Sequence, residues 1–478
     1  MKIQYITLLL CLLASTLSAG AKAKSDERQR IIVTSDAEID DECSLAHLLL
    51  YLNDIDCEAI ISSSSQYHAH DHNWAGDQWY VPYMEAYAEV YPSLIRHDRR
   101  YPSPETVRNL FYSGNVDTVN EMQKETDGSR RIVEILLDRK DKRPIWLQAW
   151  GGTNTIARAL KTIEEQHPSE MARVAAKLRF YLIWEQDDTY QQYIRKHWGH
   201  FNIPTIISDQ FIAYFYHWKK YIPAEQQKVL NGSWMKQNLL SGHGPLCSLY
   251  KAHENGDYRS EGDSPAFFHV IPTGLRSYEN PGWGGWGGRY VKVRENTWLD
   301  EVKEEGYTYP EGKWYTSNAW GRSRLKQELP NDTMLQAYLR PMWRWMVSLQ
   351  NDFAARADWC VRDYAHANHQ PVVKCNVRNI TVQPGSTIHL SARGTTDPDS
   401  DSLTYRWWQY TEAGTCPLQA TIASPNSIET TVTIPAGSVP GGTAVRLPAT
   451  IHIILEVTDN GTPQLTRYAR TIITVRKK

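Results

Sequence analysis

The sequence is poor in several features that define common functional classes. Among its 478 residues, 52 Lys and Arg are balanced by 54 Asp and Glu, which gives a formal net charge of −2. Such a chain offers no strongly basic surface to a polyanion, so we expect no nucleic-acid partner. After the N-terminus, no stretch is apolar enough to span a bilayer. No CxxC pair and no paired Cys/His spacing indicates a zinc site.

Phenylalanine is also scarce. The chain has 8 Phe against 18 Trp and 27 Tyr. Aromatic rings with a polar edge suit wet, ring-shaped ligands such as sugars. They also serve as core and surface filler in large secreted proteins, so composition alone leaves carbohydrate contact and packing equally open.

The N-terminus predicts an export signal over residues 1–23. Lys2 precedes the apolar run "ITLLLCLLASTLSA", and small residues follow it, with cleavage expected after Ala21 or Ala23. We therefore expect a secreted or periplasmic protein. Of the seven cysteines, Cys11 lies in this run. The other six have a structural role by default, and the sequence does not choose among their possible pairings.

The length predicts two domains. Residues 28–366 alternate strand-like and helix-like segments, which favours an α/β fold with a mostly parallel sheet and flanking helices. Ligands of such folds bind beyond the carboxyl ends of the strands. Residues 371–478 break into short alternating segments, the pattern of an all-β, immunoglobulin-like sandwich.

Negative charge is concentrated where the first strand meets the first helix. In "IIVTSDAEIDDECSLAHLLLYL", which begins at Ile31, an apolar strand is followed by Asp36, Asp40 and Asp41. The helix dipole favours such anions by roughly 0.3–1 kcal/mol. Two charges about 4 Å apart repel by ~4 kcal/mol at an effective dielectric constant of about 20. The carboxylates must therefore splay into water, keep a proton, or hold a cation. Oxygen ligands favour Ca²⁺ or Mg²⁺, and an irregular cage favours Ca²⁺. An acidic helix start without a metal is the alternative.

This segment resembles a known signature. "TSDAEIDD" is similar to the Asp-x-Asp-x-x-x-Asp-Asp motif of calcium-dependent nucleoside hydrolases, with Thr34 at the first acidic position. The resemblance implies that Asp36 and Asp41 are Ca²⁺ ligands and that Asp36 and Asp40 belong to the catalytic machinery.

Two later segments extend the resemblance. "AWGGTNTIARAL" is similar to the family's segment in which a threonine carbonyl binds calcium, which implies Thr153 as a ligand with Asn154 beside it at the substrate. "EGDSPAFF" places Asp263 on the family's late metal-binding aspartate. Gly262 occupies the place of the family's histidine, so the leaving-group apparatus must differ.

Longer motifs narrow the resemblance to exported bacterial nucleoside-hydrolase-like proteins that are labelled cellulose-binding and carry a C-terminal immunoglobulin-like domain. The motifs are "WEQDD", "EGDSPAFFHVIPTGL", "GWGGWGGRY", "ADWCVRDYAHANHQP" and "DSLTYRWWQYTEAGT". The resemblance covers nearly the whole mature chain and implies the same two-domain fold.

Residues that follow two further strands are candidate ligand contacts. In "WEQDD", Gln186 and Asp187 are predicted to contact substrate and Asp188 to protonate a leaving group; a solvated acidic loop is the alternative. In "QYHAHDHNW", His68 is predicted to contact substrate.

Two loops leave alternatives open. In "PGWGGWGGRY", Trp283 and Trp286 could stack on a sugar and Arg289 could bond its hydroxyls, or the two Trp could pin a glycine-rich loop. "DPDSD" at 397–401 could hold a structural Ca²⁺ or be a plain acidic turn.

The sequence as a whole predicts a secreted, Ca²⁺-dependent hydrolase of an N- or O-glycosyl bond in a glycan or glycoside. Asp36 would act as general base towards an attacking water. The competing interpretation is a non-catalytic glycan-binding protein on the same scaffold. The sugar, the leaving group and the oligomeric state are not predicted.

Overall fold

A computed structural model describes residues 28–294, 297–300, 332–436 and 446–477. The predicted signal peptide lies outside these residues. Within them, no helix has the length and apolar character needed to cross a bilayer. All six cysteines that follow the predicted signal peptide are free thiols.

An eight-stranded sheet organises the larger part of the molecule, with strand order β3-β2-β1-β4-β5-β6-β8-β7. Neighbouring strands run parallel except β7, which is antiparallel to β8. The strands are β1 Gln29–Ser35, β2 Ile55–Ser62, β3 Phe111–Ser113, β4 Ile145–Ala149, β5 Leu178–Ile183, β6 Thr205–Ser208, β7 Tyr290–Arg294 and β8 Thr297–Asp300.

Helices connect and cover these strands. The α-helices are α1 Ile39–Leu49, α2 Val81–His97, α3 Pro104–Arg108, α4 Asp127–Leu137, α5 Asn154–Gln166, α6 Met171–Lys177, α7 Arg195–Trp198, α8 Trp218–Tyr221, α9 Ala224–Gln227, α10 Gly232–Met235, α11 Gly244–Ser248, α12 Ser264–Phe268, α13 Asp332–Trp343 and α14 Met346–Trp359. Single 3₁₀ turns lie at Pro168–Glu170, Gly199–Phe201, Gln210–Tyr214, Lys228–Leu230, Ser277–Glu279, Pro281–Trp283, Tyr364–His366 and Thr411–Ala413, and π-helical turns at Tyr190–Ile194 and Lys236–Leu240.

The central strand β1 fixes the position of the site. Its residues Ile31, Ile32 and Val33 are fully buried, as expected for a parallel strand covered on both faces. β1 pairs with β2 on one side and β4 on the other, so the chain order reverses at this strand. Ligands of open α/β sheets bind at such a switch point, beyond the carboxyl ends of the strands.

The C-terminal part is all-β. One sheet has the order β10-β13-β12 and the other β11-β14-β15-β9, and they enclose a core that includes Trp407, Leu455 and Ile473. The strands are β9 Asn379–Val382, β10 Thr387–Ser391, β11 Thr404–Gln409, β12 Thr421–Ile422, β13 Glu429–Thr433, β14 Ala449–Thr458 and β15 Thr466–Val475. These two architectures confirm the predicted fold class.

The two parts share a packed interface. Trp345 contacts the rings of Trp408, Tyr410 and Tyr468 at centroid distances of 5.3–6.0 Å. Tyr410 and Tyr468 of the sandwich thereby belong to the hydrophobic core of the α/β part, whereas the core between the two small sheets is a separate cluster.

Candidate functional site

An acidic, aromatic-walled cleft of about 220 Å³ opens at the carboxyl ends of the strands. Residues that follow β1, β4 and β5 form its floor, and residues that follow β2 and β6 complete its walls. The lining residues are Asp36, Glu38, Asp40, Asp41, Tyr67, Trp150, Ile183, Trp184, Gln186, Phe211, Phe215, Tyr216 and Asp263.

Three buried aspartates form the centre of this cleft. Asp40, Asp41 and Asp263 each place a carboxylate oxygen within 4.8 Å of the others. The Ser35 hydroxyl donates to Asp41 Oδ1 at 2.5 Å, and the Glu38 backbone N–H donates to Asp41 Oδ2 at 3.2 Å. These two bonds tie the first turn of α1 back to the end of β1, which points the α1 carboxylates into the cleft.

Asp36 lies at the edge of this trio and is itself almost completely buried. The side chains of Asp41 and Ser65 lie beside its carboxyl group. Within the described part of the chain, Asp36 Oδ2, Asp40 Oδ1 and Asp263 Oδ2 have no hydrogen-bond partner. Buried carboxylate oxygens without a donor are costly to desolvate, so the site has unused ligand capacity.

No Lys or Arg among the described residues forms an ion pair with the cleft carboxylates. Burial, reinforced by the charge of Asp36, raises the pKa of Asp40 to about 7. Burial and the neighbouring carboxylates raise the pKa values of Asp41 and Asp263 well above their usual range. Burial also raises the pKa of Glu38, to about 9. The carboxylates therefore cannot all be ionised without a cation among them.

The donor set fits a hard divalent cation such as Ca²⁺, because it is made of carboxylate oxygens without thiolate or imidazole. Among the ligands that the resemblance implies, the structure brings Asp36, Asp41 and Asp263 together and adds Asp40. Thr153 does not line the cleft, and its carbonyl accepts the Ala157 N–H at 2.8 Å at the start of α5; its predicted role as a ligand stays a prediction.

The backbone around the carboxylates is unusually constrained. Ala37 and Trp184 both have a φ of 63°, a left-handed conformation that costs a non-glycine residue roughly 1–3 kcal/mol. They follow the ends of β1 and β5 and turn the chain into the cleft. A Cβ on Gly262 would lie 2.5 Å from Asp40 Oδ2. The position at which the resemblance to nucleoside hydrolases implies a histidine therefore has no room for a side chain here.

Sequence reasoning missed the aromatic wall. Phe211 packs edge-on against Trp184 at 4.7 Å and against Phe215 at 5.4 Å. The Tyr216 hydroxyl donates to Glu38 Oε1 at 3.2 Å. These aromatic residues lie in the segment "DQFIAYFY", which directly follows β6. Because sites of α/β folds lie at strand ends, the position of this segment after a strand was the signal that could have predicted the wall.

Two residues that were predicted to contact substrate instead form hydrogen bonds within the protein. Asp187 accepts hydrogen bonds from the Thr153 and Thr189 hydroxyls and from the backbone N–H of Asn154 at the start of α5. The fully buried Asn154 donates to Ser64 Oγ at 2.8 Å and to two backbone carbonyls. Both residues hold strand-end loops together, and neither lines the cleft, in contrast to the predicted roles.

Gln186, His68 and Asp188 differ in their relation to the cleft. Gln186 lines it, with its side-chain amide donating to the Trp150 carbonyl at 2.5 Å. His68 stands beside it, with Nε2 4.0 Å from Glu38 Oε2. Asp188 is half-buried outside the lining, and its backbone N–H donates to Asn120 Oδ1 at 2.6 Å.

The predicted sugar contacts in the glycine-rich loop differ from the structure. Trp286 is fully buried and lies under Arg467 of β15 at 5.4 Å. Trp283 packs between Arg276 and His452 of β14. Arg289 is also buried, and none of the three predicted sugar contacts lines the cleft. The loop packs against the β-sandwich, so the prediction that it stacks on a ligand is wrong for Trp286, which has no free face.

The sheet order, the switch point at β1 and the carboxylates beyond it define a nucleoside-hydrolase-like α/β protein. Residues 30–290 match the sequence model of the family described as cellulose-binding Sde182, nucleoside hydrolase-like domain. Residues 387–475 match the C-terminal domain of cellulose-binding protein Sde0182. The chain belongs to this Sde182 nucleoside-hydrolase-like family.

A solved structure supports the same assignment. A nucleoside hydrolase-related hypothetical protein from Saccharophagus degradans, described as associated with carbohydrate metabolism, is 28% identical, with a TM-score of 0.73. The match covers 94% of this chain and 100% of that one. No curated protein sequence matches the chain.

Two further structural likenesses are too weak to bear on function. An inosine-guanosine nucleoside hydrolase is 13% identical over 66% of this chain and 98% of that one, with a TM-score of 0.27. The PKD domain of the KIAA 1837 protein is 17% identical over 23% of this chain and 92% of its own length, with a TM-score of 0.17.

Proposed function

We propose that this protein is an exported hydrolase that cleaves a glycosyl bond of a glycan or glycoside in the acidic cleft, with Ca²⁺ as its cofactor. One observation carries the proposal. Buried carboxylates, which among the described residues have unpartnered oxygens and no Lys or Arg partner, face an aromatic-walled cavity at the switch point of a nucleoside-hydrolase-like sheet.

Asp40, Asp41 and Asp263 would hold the ion, with Asp36 at its edge. When bound, Ca²⁺ supplies positive charge that orients sugar hydroxyls and lowers the pKa of water. The ion would also offset the mutual repulsion of the cleft carboxylates.

The chain's own residues account for the remaining chemistry. Asp36, with Oδ2 unpartnered, takes a proton from the attacking water as general base. Trp184 and Phe211 offer an apolar surface to a sugar face and exclude bulk water. Glu38 lines the cleft with His68 next to it, and we assign proton donation to the leaving group to this pair. Direct attack by water predicts inversion at the anomeric carbon.

The test is an activity screen of the purified protein with Ca²⁺ on nucleosides, oligosaccharides and aryl glycosides. We expect Asp36→Ala to lower the turnover by roughly 10²–10⁴-fold, the range of general-base contributions. Asp56→Asn is the matched control, because Asp56 lies at the amino end of β2 and pairs with Arg143. Equal turnover by wild type and Asp36→Ala would disprove the assignment.

A second candidate function is glycan binding without turnover. The family description, cellulose-binding, and the aromatic wall favour it. It predicts that the protein sediments with insoluble cellulose and releases no product. It also predicts that Asp36→Ala binds cellulose as well as the wild type does, since binding needs no general base. If the wild type forms a product in the presence of Ca²⁺ and Asp36→Ala does not, the protein is the hydrolase.

A further inference from the structure

A second group of aspartates lies in the β-sandwich, in the turn before β11. Asp397, Asp399 and Asp401 each place a carboxylate oxygen within 4.8 Å of the others. Asp397 Oδ1 accepts the backbone N–H groups of Asp399 and Asp401 at 2.9 and 3.0 Å. Asp397 Oδ2 is buried without a hydrogen-bond partner among the described residues. Acidic turns of this kind are common without an ion.

Asp459, which follows β14, adds a deeply buried carboxylate next to this turn. It is 1% exposed. Its Oδ1 accepts from the backbone N–H groups of Gly461 and Leu465, each at 3.0 Å, and from Asn368 Nδ2 at 3.2 Å. Its Oδ2 is buried and, within the described ranges, receives no hydrogen bond. Three donors thus fix the carboxylate in one orientation and leave one oxygen unused.

The strand pairing places Asp459 beside the turn. Thr404 at the start of β11 pairs with Thr458 at the end of β14, and the Ser402 backbone N–H donates to Asn460 Oδ1 at 2.7 Å. The turn 397–401 and Asp459 therefore lie side by side. Burial, with a smaller contribution from the charge of Asp397, raises the pKa of Asp459 to about 6.

One histidine contacts this turn among the described residues. His369 contacts Asp399, with Nδ1 2.9 Å from Oδ1 and its backbone N–H donating to Oδ2 at 2.7 Å. No Lys or Arg in the described part of the chain forms an ion pair with Asp397, Asp401 or Asp459.

We propose that the turn 397–401 and Asp459 form a Ca²⁺ site, distinct from the cleft, that fixes the segment connecting the two parts of the molecule. Oxygen-only donors on an irregular turn suit Ca²⁺ better than the rigid octahedron of Mg²⁺.

The connecting segment contacts this site directly. Asn368 bonds Asp459, and His369 bonds Asp399. The His369 ring in turn stacks on Trp359 at 5.2 Å and on Tyr364 at 3.9 Å, both of which precede the sandwich. An ion that orders the aspartates therefore orders the junction as well.

The test is calcium titration calorimetry on the whole protein together with limited proteolysis of the segment 366–373. Dissociation constants of extracellular calcium modules lie at about 10⁻⁴–10⁻³ M, and we expect the same here. Asp401→Asn and Asp459→Asn should each weaken this binding event at least tenfold and abolish the Ca²⁺-dependent protection of the segment. Asp401 is half-buried, so its variant is informative even if Asp459→Asn fails to fold.

The controls separate this site from others. Asp263→Asn should leave the protection intact, because Asp263 belongs to the cleft. Asp56→Asn should also leave it intact, because its acidic group is already paired with arginine. Wild-type calcium binding and protection in both Asp401→Asn and Asp459→Asn would overturn the proposal, and equal protection by Mg²⁺ would overturn the assignment to calcium.

Discussion

Acidic clusters lie at both ends of the same parallel sheet, and they differ in what neutralises them. At the amino end, Asp56, Glu58 and Asp141 place carboxylate oxygens within 4.8 Å of one another, as Asp40, Asp41 and Asp263 do at the carboxyl end. The amino-end cluster contains arginine. Arg30 Nε lies 2.5 Å from Glu58 Oε1, and Arg143 Nη2 lies 2.6 Å from Asp141 Oδ2.

The comparison shows that clustered acids alone are a poor sign of a metal site. The amino-end carboxylates are half-buried and their charge is offset by arginine. The carboxyl-end ones are buried and have no Lys or Arg partner in the described ranges. Missing counter-charge combined with burial, not the number of acids, distinguishes the candidate site.

The largest expected effect concerns a buried acid that is fully paired. Asp352 of α14 accepts from Arg356 Nε at 3.0 Å and from Arg467 Nη1 at 2.6 Å. We expect Asp352→Asn to lower the free energy of unfolding by about 3–5 kcal/mol, because Arg467 loses its carboxylate partner and the buried Arg356 keeps only Asp54. Urea unfolding at neutral pH measures this loss.

Asp363→Asn is the control for this substitution, since Asp363 is an exposed acid next to the same helix. A loss below about 1 kcal/mol for Asp352→Asn would mean that arginine pairing is not what allows an acid to be buried in this fold.

The sheet and the sandwich were predictable because their patterns are local. Buried parallel strands such as β1 are short apolar runs, and sandwich strands alternate. The acids after β1 were also predictable, because a strand end and the next helix start converge at one edge of a sheet. Asp263, more than 200 positions later, could be placed there only through a family resemblance.

Other assignments failed for a physical reason. A polar residue at a strand end can either bind a ligand or hold a loop together by hydrogen bonds, and the local sequence does not distinguish the two roles. Asp187 accepts a hydrogen bond from the backbone at the start of α5, and the side chain of Asn154 donates hydrogen bonds to neighbouring loops. Trp286 lies against the sandwich, a contact between distant parts of the chain that no local pattern encodes. The aromatic wall at Phe211 has no periodicity of its own.

A smaller effect is expected from pH in the unpaired cluster. Burial and the charge of Asp36 raise the pKa of Asp40 to about 7, whereas the unfolded chain titrates near its ordinary value. The folded protein therefore holds the proton more tightly, and without metal its stability should fall as pH rises from about 4 through 7, by up to about 4 kcal/mol.

Urea midpoints between pH 4.5 and 8 in a chelator measure this slope. Asp40→Asn should reduce it, and Ca²⁺ should raise the stability of the wild type most at the alkaline end. A stability that rises with pH equally in wild type and Asp40→Asn would contradict the account. Asp352 does not interfere, since its neighbouring arginines lower its pKa and its contribution is lost only in acid.

The smallest effect is expected at the arginine-paired end. Asp56 and Arg143 are both half-buried, with side-chain exposures of 27% and 30%, so Asp56→Asn should change the free energy of unfolding by about 0–1 kcal/mol. Because Arg143 also pairs with Asp141, the guanidinium keeps a partner after the substitution. Calcium titration of this variant should match that of the wild type. Reduced calcium affinity in Asp56→Asn would mean that an arginine-paired cluster also binds the ion, and counter-charge would then no longer separate the two ends of the sheet.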